Sequence, residues 1–331
     1  MTQDVIDCSE CLRKTPAGRG KCIYCGAMLL AGSISTAPTQ RPIESFERAF
    51  NTILAPARAG ADERVEESLA SALGIEIEEA RAFIAAGKHV PISRSQTRHE
   101  AELVAALVRT CGLGATVVDD VDLEVETALI RARRVVIEDG IICMAHVGGK
   151  LAIPLSSVSL IVAGLIRNNR VDYIEGRSSG RGDEGNVLDS TEYRSDLMLM
   201  DVYGSCLAES FRIRSDGFDY SGLVNPLSFR AELNFQAAAR ALSLAAPMLM
   251  VDDGFSRIRH LLSRAWPERT RTEARGITRA GPGYALVARA SLIRDNQDQF
   301  DRYSRLVYFL SKGAPANVAR ADLPRPPSGQ S

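Results

Sequence analysis

Four cysteines open the chain in the pattern Cys8-x2-Cys11-x10-Cys22-x2-Cys25. Each Cys-x-x-Cys pair can fold as a tight knuckle that aims two thiolates at one point. Two knuckles complete a closed tetrahedral site of four sulfurs, of the kind that holds Zn2+. Lys14, Arg19 and Lys21 lie between the pairs and offset the negative charge of a zinc tetrathiolate. Four protein ligands leave no open coordination position, so the one expected zinc ion is structural. Its binding would supply roughly 10–16 kcal/mol of folding energy to a segment too short to build a core. The spacing also leaves open an iron–sulfur site or a redox dithiol pair.

No other residues announce a reaction centre, and no catalytic residue is expected. Cys111, Cys143 and Cys206 stand alone in apolar contexts and read as buried small hydrophobes. His89, His99, His146 and His260 form neither H-x-x-x-H nor H-E-x-x-H. Gly148-Gly149-Lys150 lacks the spacing of a phosphate loop and reads as a turn. Gly180-x-Gly182-x-x-Gly185 has no apolar strand before it and no helix after it. The carboxylate pairs Asp119-Asp120 and Asp252-Asp253 read as the end of a strand and the cap of a helix. An enzyme would need two or more of Cys143, His146, Asp201 and Asp252 to converge in one deep pocket.

One basic concentration stands out. Arg257, Arg259, Arg264, Arg269, Arg271, Arg275 and Arg279 face only Glu268 and Glu273 in the same stretch. It reads as a solvated helix face followed by a loop, paired with the chain's own carboxylates. Arg257, Arg264, Arg269, Arg271 and Arg275 are the candidate contacts for nucleic-acid phosphates or another anion. Aromatic interleaving for base stacking is limited to Trp266.

The elements that must position these residues come from a chain of 331 residues, 45% hydrophobic and 24% charged, enough for two or three globular domains. With 40 basic and 41 acidic residues its net charge is −1, so no global field draws it to nucleic acid or an anionic membrane. No secretory leader is visible at the acidic N-terminus, and Leu151–Ile166 is too short and polar to span a bilayer. A cytoplasmic protein with reduced cysteines is expected.

Residues 31–42, rich in Ala, Ser, Thr and Pro, read as a linker. Beyond them Val65, Leu69 and Leu73 take helical spacing with Gly74 as the stop. Ile75–Ile77 reads as extended, 78–86 as a helix closed by Gly87, and 90–92 as extended again. Ser95 or Thr97 caps a third helix whose apolar face is Ala101, Leu103, Val104, Leu107 and Val108, and 115–118 reads as a strand. Residues 69–118, LASALGIEIEEARAFIAAGKHVPISRSQTRHEAELVAALVRTCGLGATVV, resemble the C-terminal domain of the ribosomal stalk protein. The resemblance implies a small α/β fold. It does not extend to that family's basic factor-binding surface, because Glu76, Glu78, Glu79 and Glu100 stand where cations are wanted.

From residue 121 the pattern changes to short strands at 129–130, 134–137, 140–143, 151–153 and 158–162, with hairpin turns at 138–140 and 148–150. Residues 175–192 read as a long flexible loop. Strands resume at 196–203 and 208–214, and 228–245 reads as an amphipathic helix with Phe229, Leu233, Ala237 and Leu242 on one face. Antiparallel strands closed by one long helix, with the segment LAIPLSSVSLIVAG, resemble a pleckstrin-homology-like domain. Residues 249–316 carry two more apolar helix faces: Phe255, Ile258, Leu261, Leu262 and Trp266, then Phe300, Tyr303, Leu306, Val307 and Leu310. A strand-like run, 284–292, lies between them.

The expected architecture is a multi-domain α+β chain. A four-cysteine zinc ribbon (1–28) and a linker (29–43) precede the stalk-protein-like α/β domain (44–120). An antiparallel, pleckstrin-homology-like β domain closed by a helix (121–248), a helical extension (249–316) and a disordered tail (317–331) follow. Such a string of modules reads as a non-enzymatic adaptor or scaffold that binds a protein partner. The alternative is a nucleic-acid or ribosome-associated protein using the ribbon and the Arg-rich stretch. Any membrane contact would be peripheral, through lipid.

Overall fold

The computed structural model describes residues 5–7, 14–16, 43, 47–57, 62–177, 186–246, 248–280 and 285–313. Contacts divide the chain into two units, Met1–Pro42 and Ile43–Ser331. In the first, strands β1 (Val5–Asp7) and β2 (Lys14–Pro16) pair antiparallel with Asp7 opposite Lys14. Cys8, Cys11, Cys22 and Cys25 lie outside the described residues.

The second unit begins with β3 (Phe50–Leu54), α1 (Glu63–Leu73), α2 (Ile77–Ala85), β4 (Val90–Ser95), α3 (Arg98–Thr110) and β5 (Ala115–Asp119). The three strands form a sheet in the order β4-β3-β5, with β3 antiparallel to both neighbours. Gly74 stops α1 in the left-handed region, at φ 61°. Thr97, and not Ser95, caps α3: its side chain accepts from the Glu100 N–H while Glu100 accepts from the Thr97 N–H. The buried face of α3 is Ala101, Val104, Ala105 and Val108, spaced i, i+3, i+4, i+7. Leu103 and Leu107, assigned to that face by the sequence pattern, sit off this stripe and are exposed. Ile77 opens α2 and does not extend a strand.

A three-stranded meander follows: β7 (Arg134–Glu138), β8 (Ile141–His146) and β9 (Gly149–Pro154). The short β6 (Ile130–Arg131) precedes it and joins a second, seven-stranded sheet. The other strands of that sheet are β10 (Leu160–Arg177), β11 (Asn186–Tyr203), β12 (Phe211–Arg214), β13 (Met250–Asp252), β14 (Arg269–Ala280) and β15 (Ala285–Asp295). Their order is β14-β15-β10-β11-β12-β6, with β13 parallel to the start of β10, and the sheet curls into a half-barrel. The helices α4 (Ala231–Ala245), α5 (Phe255–Leu262) and α6 (Gln297–Ser311) complete a mixed α+β fold with several antiparallel sheets.

Two expectations change here. The polar stretch 175–192 is not one long loop. β10 and β11 each run 18 residues and pair from Leu160↔Tyr203 to Gly176↔Asn186. The helical extension likewise contributes β13, β14 and β15 to the sheet, so the arginines from Arg269 onward lie on a strand instead of a loop.

Alternating side chains give the central sheet two buried faces. Leu160, Val162, Ile166, Leu199 and Tyr203 enter one core with the three-stranded α/β part, α5 and α6. Ile161, Met200, Val202, Phe211 and Ile213 enter a second core with the meander and α4. The residues expected as separate domains at 44–120 and 249–316 thus share one core. Gly164 makes this packing feasible, since a Cβ there would lie 2.5 Å from Phe300 and 2.7 Å from Phe255. These rings meet edge to face, with centroids 5.2 Å apart. The apolar face of α5 is buried as expected. On α4 Leu242 is buried as expected, but its companions are Asn234, Phe235 and Ala238; Leu233, and Phe229 just before the helix, are exposed. Among the described residues no helix is long and apolar enough to cross a membrane.

Candidate functional site

The polar chemistry of the described residues gathers around α6. Its buried side chains include Gln299, Arg302, Ser304 and Arg305 beside Phe300, Tyr303, Leu306 and Tyr308. A 15-residue helix whose charged residues point inward needs partners for each of them. Three networks supply these.

The first ties α6 to the α/β part through Asp120. This carboxylate accepts from Arg94 Nη2 at 2.6 Å, Arg302 Nη1 at 2.7 Å, Asn51 Nδ2 at 2.8 Å and the Ala49 N–H at 3.1 Å. Asn51 Oδ1 accepts from Trp266 Nε1 at 2.8 Å, and Gln299 Nε2 donates to the Trp266 carbonyl at 2.7 Å. The neighbouring Asp119 pairs with Arg48, whose hydrogen bond holds the carboxyl below the usual range.

The second lies where β11 and β12 meet α6. Arg212 donates to both oxygens of Asp201, at 2.6 and 2.8 Å, in the bidentate geometry that suits a guanidinium. It also reaches Asp301 at 2.7 Å and lies over the Phe300 ring. Burial disfavours the Arg212 cation, but Asp201 and Asp301 together hold its pKa well above the ordinary value. Burial dominates at Asp301 and raises its pKa despite Arg212. Ser304 donates to Asp201 at 2.7 Å and shares a hydrogen bond of 2.7 Å with the buried Tyr203 hydroxyl. Tyr203 stacks on Tyr308, and Arg305, over its ring, donates to the Thr127 carbonyl.

The third joins β13 to the α2–β4 connection. Asp252 accepts from Lys88 Nζ at 2.5 Å, Tyr303 Oη at 2.7 Å and the Gly254 N–H at 2.8 Å. Burial raises the Asp252 pKa, but these donors more than offset it and leave it below the ordinary value. The Tyr303 pKa is raised by burial and then by the Asp252 charge. These carboxylates have their lone pairs engaged by several donors at once, a geometry suited to clamping elements together.

The residues singled out for an enzymatic reading fall in separate places. Asp201 and Asp252 bond different residues of α6. Cys143 and His146 lie on β8, where His146 Nδ1 accepts from the Gly148 N–H in the hairpin turn. Only Cys111 is a buried thiol among the described residues; Cys143 and Cys206 are exposed, because Cys143 sits on the outer face of β8 and Cys206 in the turn after β11. Among the described residues no group of three His, Cys, Asp or Glu side chains could hold a metal ion.

The nominated arginines are spread along α5, β14 and the segment between. Arg257 pairs with Asp253, Arg264 with Glu79, Arg271 with Glu273 and Asp295, and Arg275 with Asp172. Arg269 lines a cleft of about 780 Å³ that also holds Arg48, Glu124, Asp298 and the Asp120–Arg302 pair. Sequence reasoning missed both this cleft and the inward charges of α6, because charge at helical spacing reads as a solvated face.

A run of exposed apolar side chains lies in the stretch around α4 and β13. Leu227, Phe229, Leu233, Leu244, Met248, Met250 and Val251 flank and line α4 and β13. They are seven of the thirteen large hydrophobics exposed among the described residues, gathered in one 25-residue stretch. Phe229 is fully exposed and Met248 is 92% exposed. No protein-family model, curated protein or solved structure matches this chain.

Proposed function

We propose that this chain is a non-enzymatic adaptor that docks a protein partner on the apolar face around α4, with an N-terminal zinc ribbon as a second module. The observation that carries the reading is the concentration of exposed apolar side chains at 227–251. Monomeric soluble proteins seldom leave such a run in water without a use for it. Its rim is mixed in charge, with Arg230 paired to Glu232 and Asp253 paired to Arg257. A mixed polar rim around an apolar centre suits a protein interface, whereas a lipid surface favours a basic rim. The ion-paired saturation of the buried carboxylates supports a scaffold over a reaction centre.

The antiparallel pairing of Asp7 with Lys14 suits the first knuckle of a ribbon, in which Cys8, Cys11, Cys22 and Cys25 would hold one structural zinc. The meander β7-β8-β9 facing β10-β11-β12 across a shared core, closed by α4, suits a pleckstrin-homology-like module. The nucleic-acid reading through Arg257, Arg264, Arg269, Arg271 and Arg275 draws less support, because four of the five are paired with carboxylates of the chain.

Affinity capture from host lysate with the intact chain, beside a Phe229→Asp/Met248→Asp variant, tests the reading. The expected result is one protein retained in stoichiometric amount at raised salt by the natural chain and lost by the folded variant. Equal retention by both, or a nuclease-sensitive complex in its place, contradicts it.

A further inference from the structure

The outer half of the seven-stranded sheet carries a second feature, independent of the apolar face. Where β10 pairs with β11, Asn169 lies opposite Arg194; where β10 pairs with β15, Asn169 lies opposite Arg294. Residues directly opposite one another in antiparallel strands share a face. Arg194, Asn169 and Arg294 therefore form one row across three strands. The outer two strands are about 10 Å apart, twice the inter-strand spacing. An anion that takes the place of the Glu192 carboxylate on Asn169 comes within reach of both guanidiniums.

Arg167, two residues from Asn169, points to the same face. Together these residues line a cleft of about 650 Å³ that also contains Asp196 and Glu268. Arg259, from α5, stands beside it: burial lowers its pKa, and the charge of Arg167 lowers it further, while Glu268 and Asp196 act in the opposite sense. Glu192 accepts from Arg194 at 3.0 Å and from Asn169 Nδ2 at 2.8 Å, so a carboxylate of the chain already sits on this row. Among the described residues neither Arg167 nor Arg294 has a carboxylate at ion-pair distance. Asp196 stands directly opposite Arg167 in register, and the lining holds three arginines against two carboxylates, one cation in excess.

We propose that this cleft binds a small oligophosphate: two or three linked phosphate groups, free or as the phosphate tail of a nucleotide. Guanidiniums match phosphate oxygens in bidentate geometry. The volume falls within the range of small-ligand sites, roughly 300–1,000 Å³. No aromatic side chain among the described residues lines it, so the phosphates and not a base are what it recognises. Its residues are distinct from the five arginines nominated from sequence, and the site does not depend on the adaptor reading.

Calorimetric titration of the intact chain with sodium tripolyphosphate, at low and raised salt and without divalent cations, tests the site. The expected result is saturable one-site binding that weakens with salt. It falls by about tenfold or more in an Arg194→Gln/Arg294→Gln variant whose circular dichroism is unchanged, and stays the same in Arg271→Gln/Arg275→Gln. A nucleoside triphosphate should bind with affinity close to that of tripolyphosphate, because the base makes no contact. The proposal is overturned by any of three outcomes: no saturable binding at low salt, equal loss in both variant pairs, or tighter binding to a single-stranded oligonucleotide or to anionic phospholipid vesicles than to tripolyphosphate.

Discussion

At the scale of single residues, the fold depends on groups whose loss leaves a buried partner stranded. Asp201 is fully buried and receives both arms of Arg212 and the Ser304 hydroxyl. Asp201→Ala should destabilise the protein by about 1–3 kcal/mol or more, because the buried Arg212 loses its bidentate partner and keeps only Asp301. Denaturant unfolding at neutral pH measures it. Asp252 gives a pH signature. Its folded pKa lies below the unfolded value, so it contributes stability above about pH 4, and that contribution is lost as pH falls through the folded pKa. The stability gap between the natural chain and Asp252→Asn should therefore be wide near neutrality and close on acidification. A gap that stays constant with pH would show that the carboxylate's charge is irrelevant. Gly164→Ala tests the close packing of Phe255 and Phe300 on the sheet. Overpacking there should cost about 1–3 kcal/mol or more, since the neighbours are two ring systems with little room to retreat.

At the scale of elements, α6 is the hub. It meets the α/β part through Arg302 and Asp120, the sheet through Ser304 and Asp201, and β13 through Tyr303 and Asp252. Replacing Arg302 by Met keeps its bulk and removes one donor to Asp120. We expect a loss of about 1–3 kcal/mol, and faster hydrogen exchange in β3 and β5 than in β7–β9, because only the former share the tie. Uniform acceleration across both sheets would contradict that placement.

This scale also separates what the sequence made legible from what it did not. α1, α2, α3, α5 and the meander were legible because each has one buried and one wet face, and the 3.6- or 2-residue period follows directly. The caps at Gly74 and Thr97 follow from local chemistry alone. The far ends of β10 and β11 were not legible. Both faces there are at least partly wet, so Asp172, Glu192 and Arg194 leave no apolar alternation to read. β14 was hidden for the same reason, since Arg269, Arg271 and Glu273 are exposed and read as loop charges. The inward charges of α6 were hidden because Arg302 and Arg305 are buried by partners more than 170 residues away in the chain. The row Arg194–Asn169–Arg294 exists only through register, which no local pattern encodes.

At the scale of the whole molecule, the chain joins two cores across one sheet and gathers seven of the thirteen exposed large hydrophobics among the described residues into the stretch 227–251. The adaptor reading assigns that stretch to a partner protein, and it assigns the head of the chain to one structural zinc. Metal analysis of the purified chain should give one zinc per molecule, lost together in a Cys22→Ser/Cys25→Ser variant; the absence of stoichiometric zinc would remove the ribbon from the account.

The most direct test of the docking face is site-specific photo-crosslinking in host cells, with a benzophenone amino acid placed in turn at Phe229, at Met248 and at Val147. Val147 is 87% exposed but isolated at a hairpin, and so controls for exposure alone. The expected result is one protein adduct, shared by the first two positions and absent from the third. No adduct at Phe229 and Met248, or the same adducts at all three positions, would contradict a dedicated docking face.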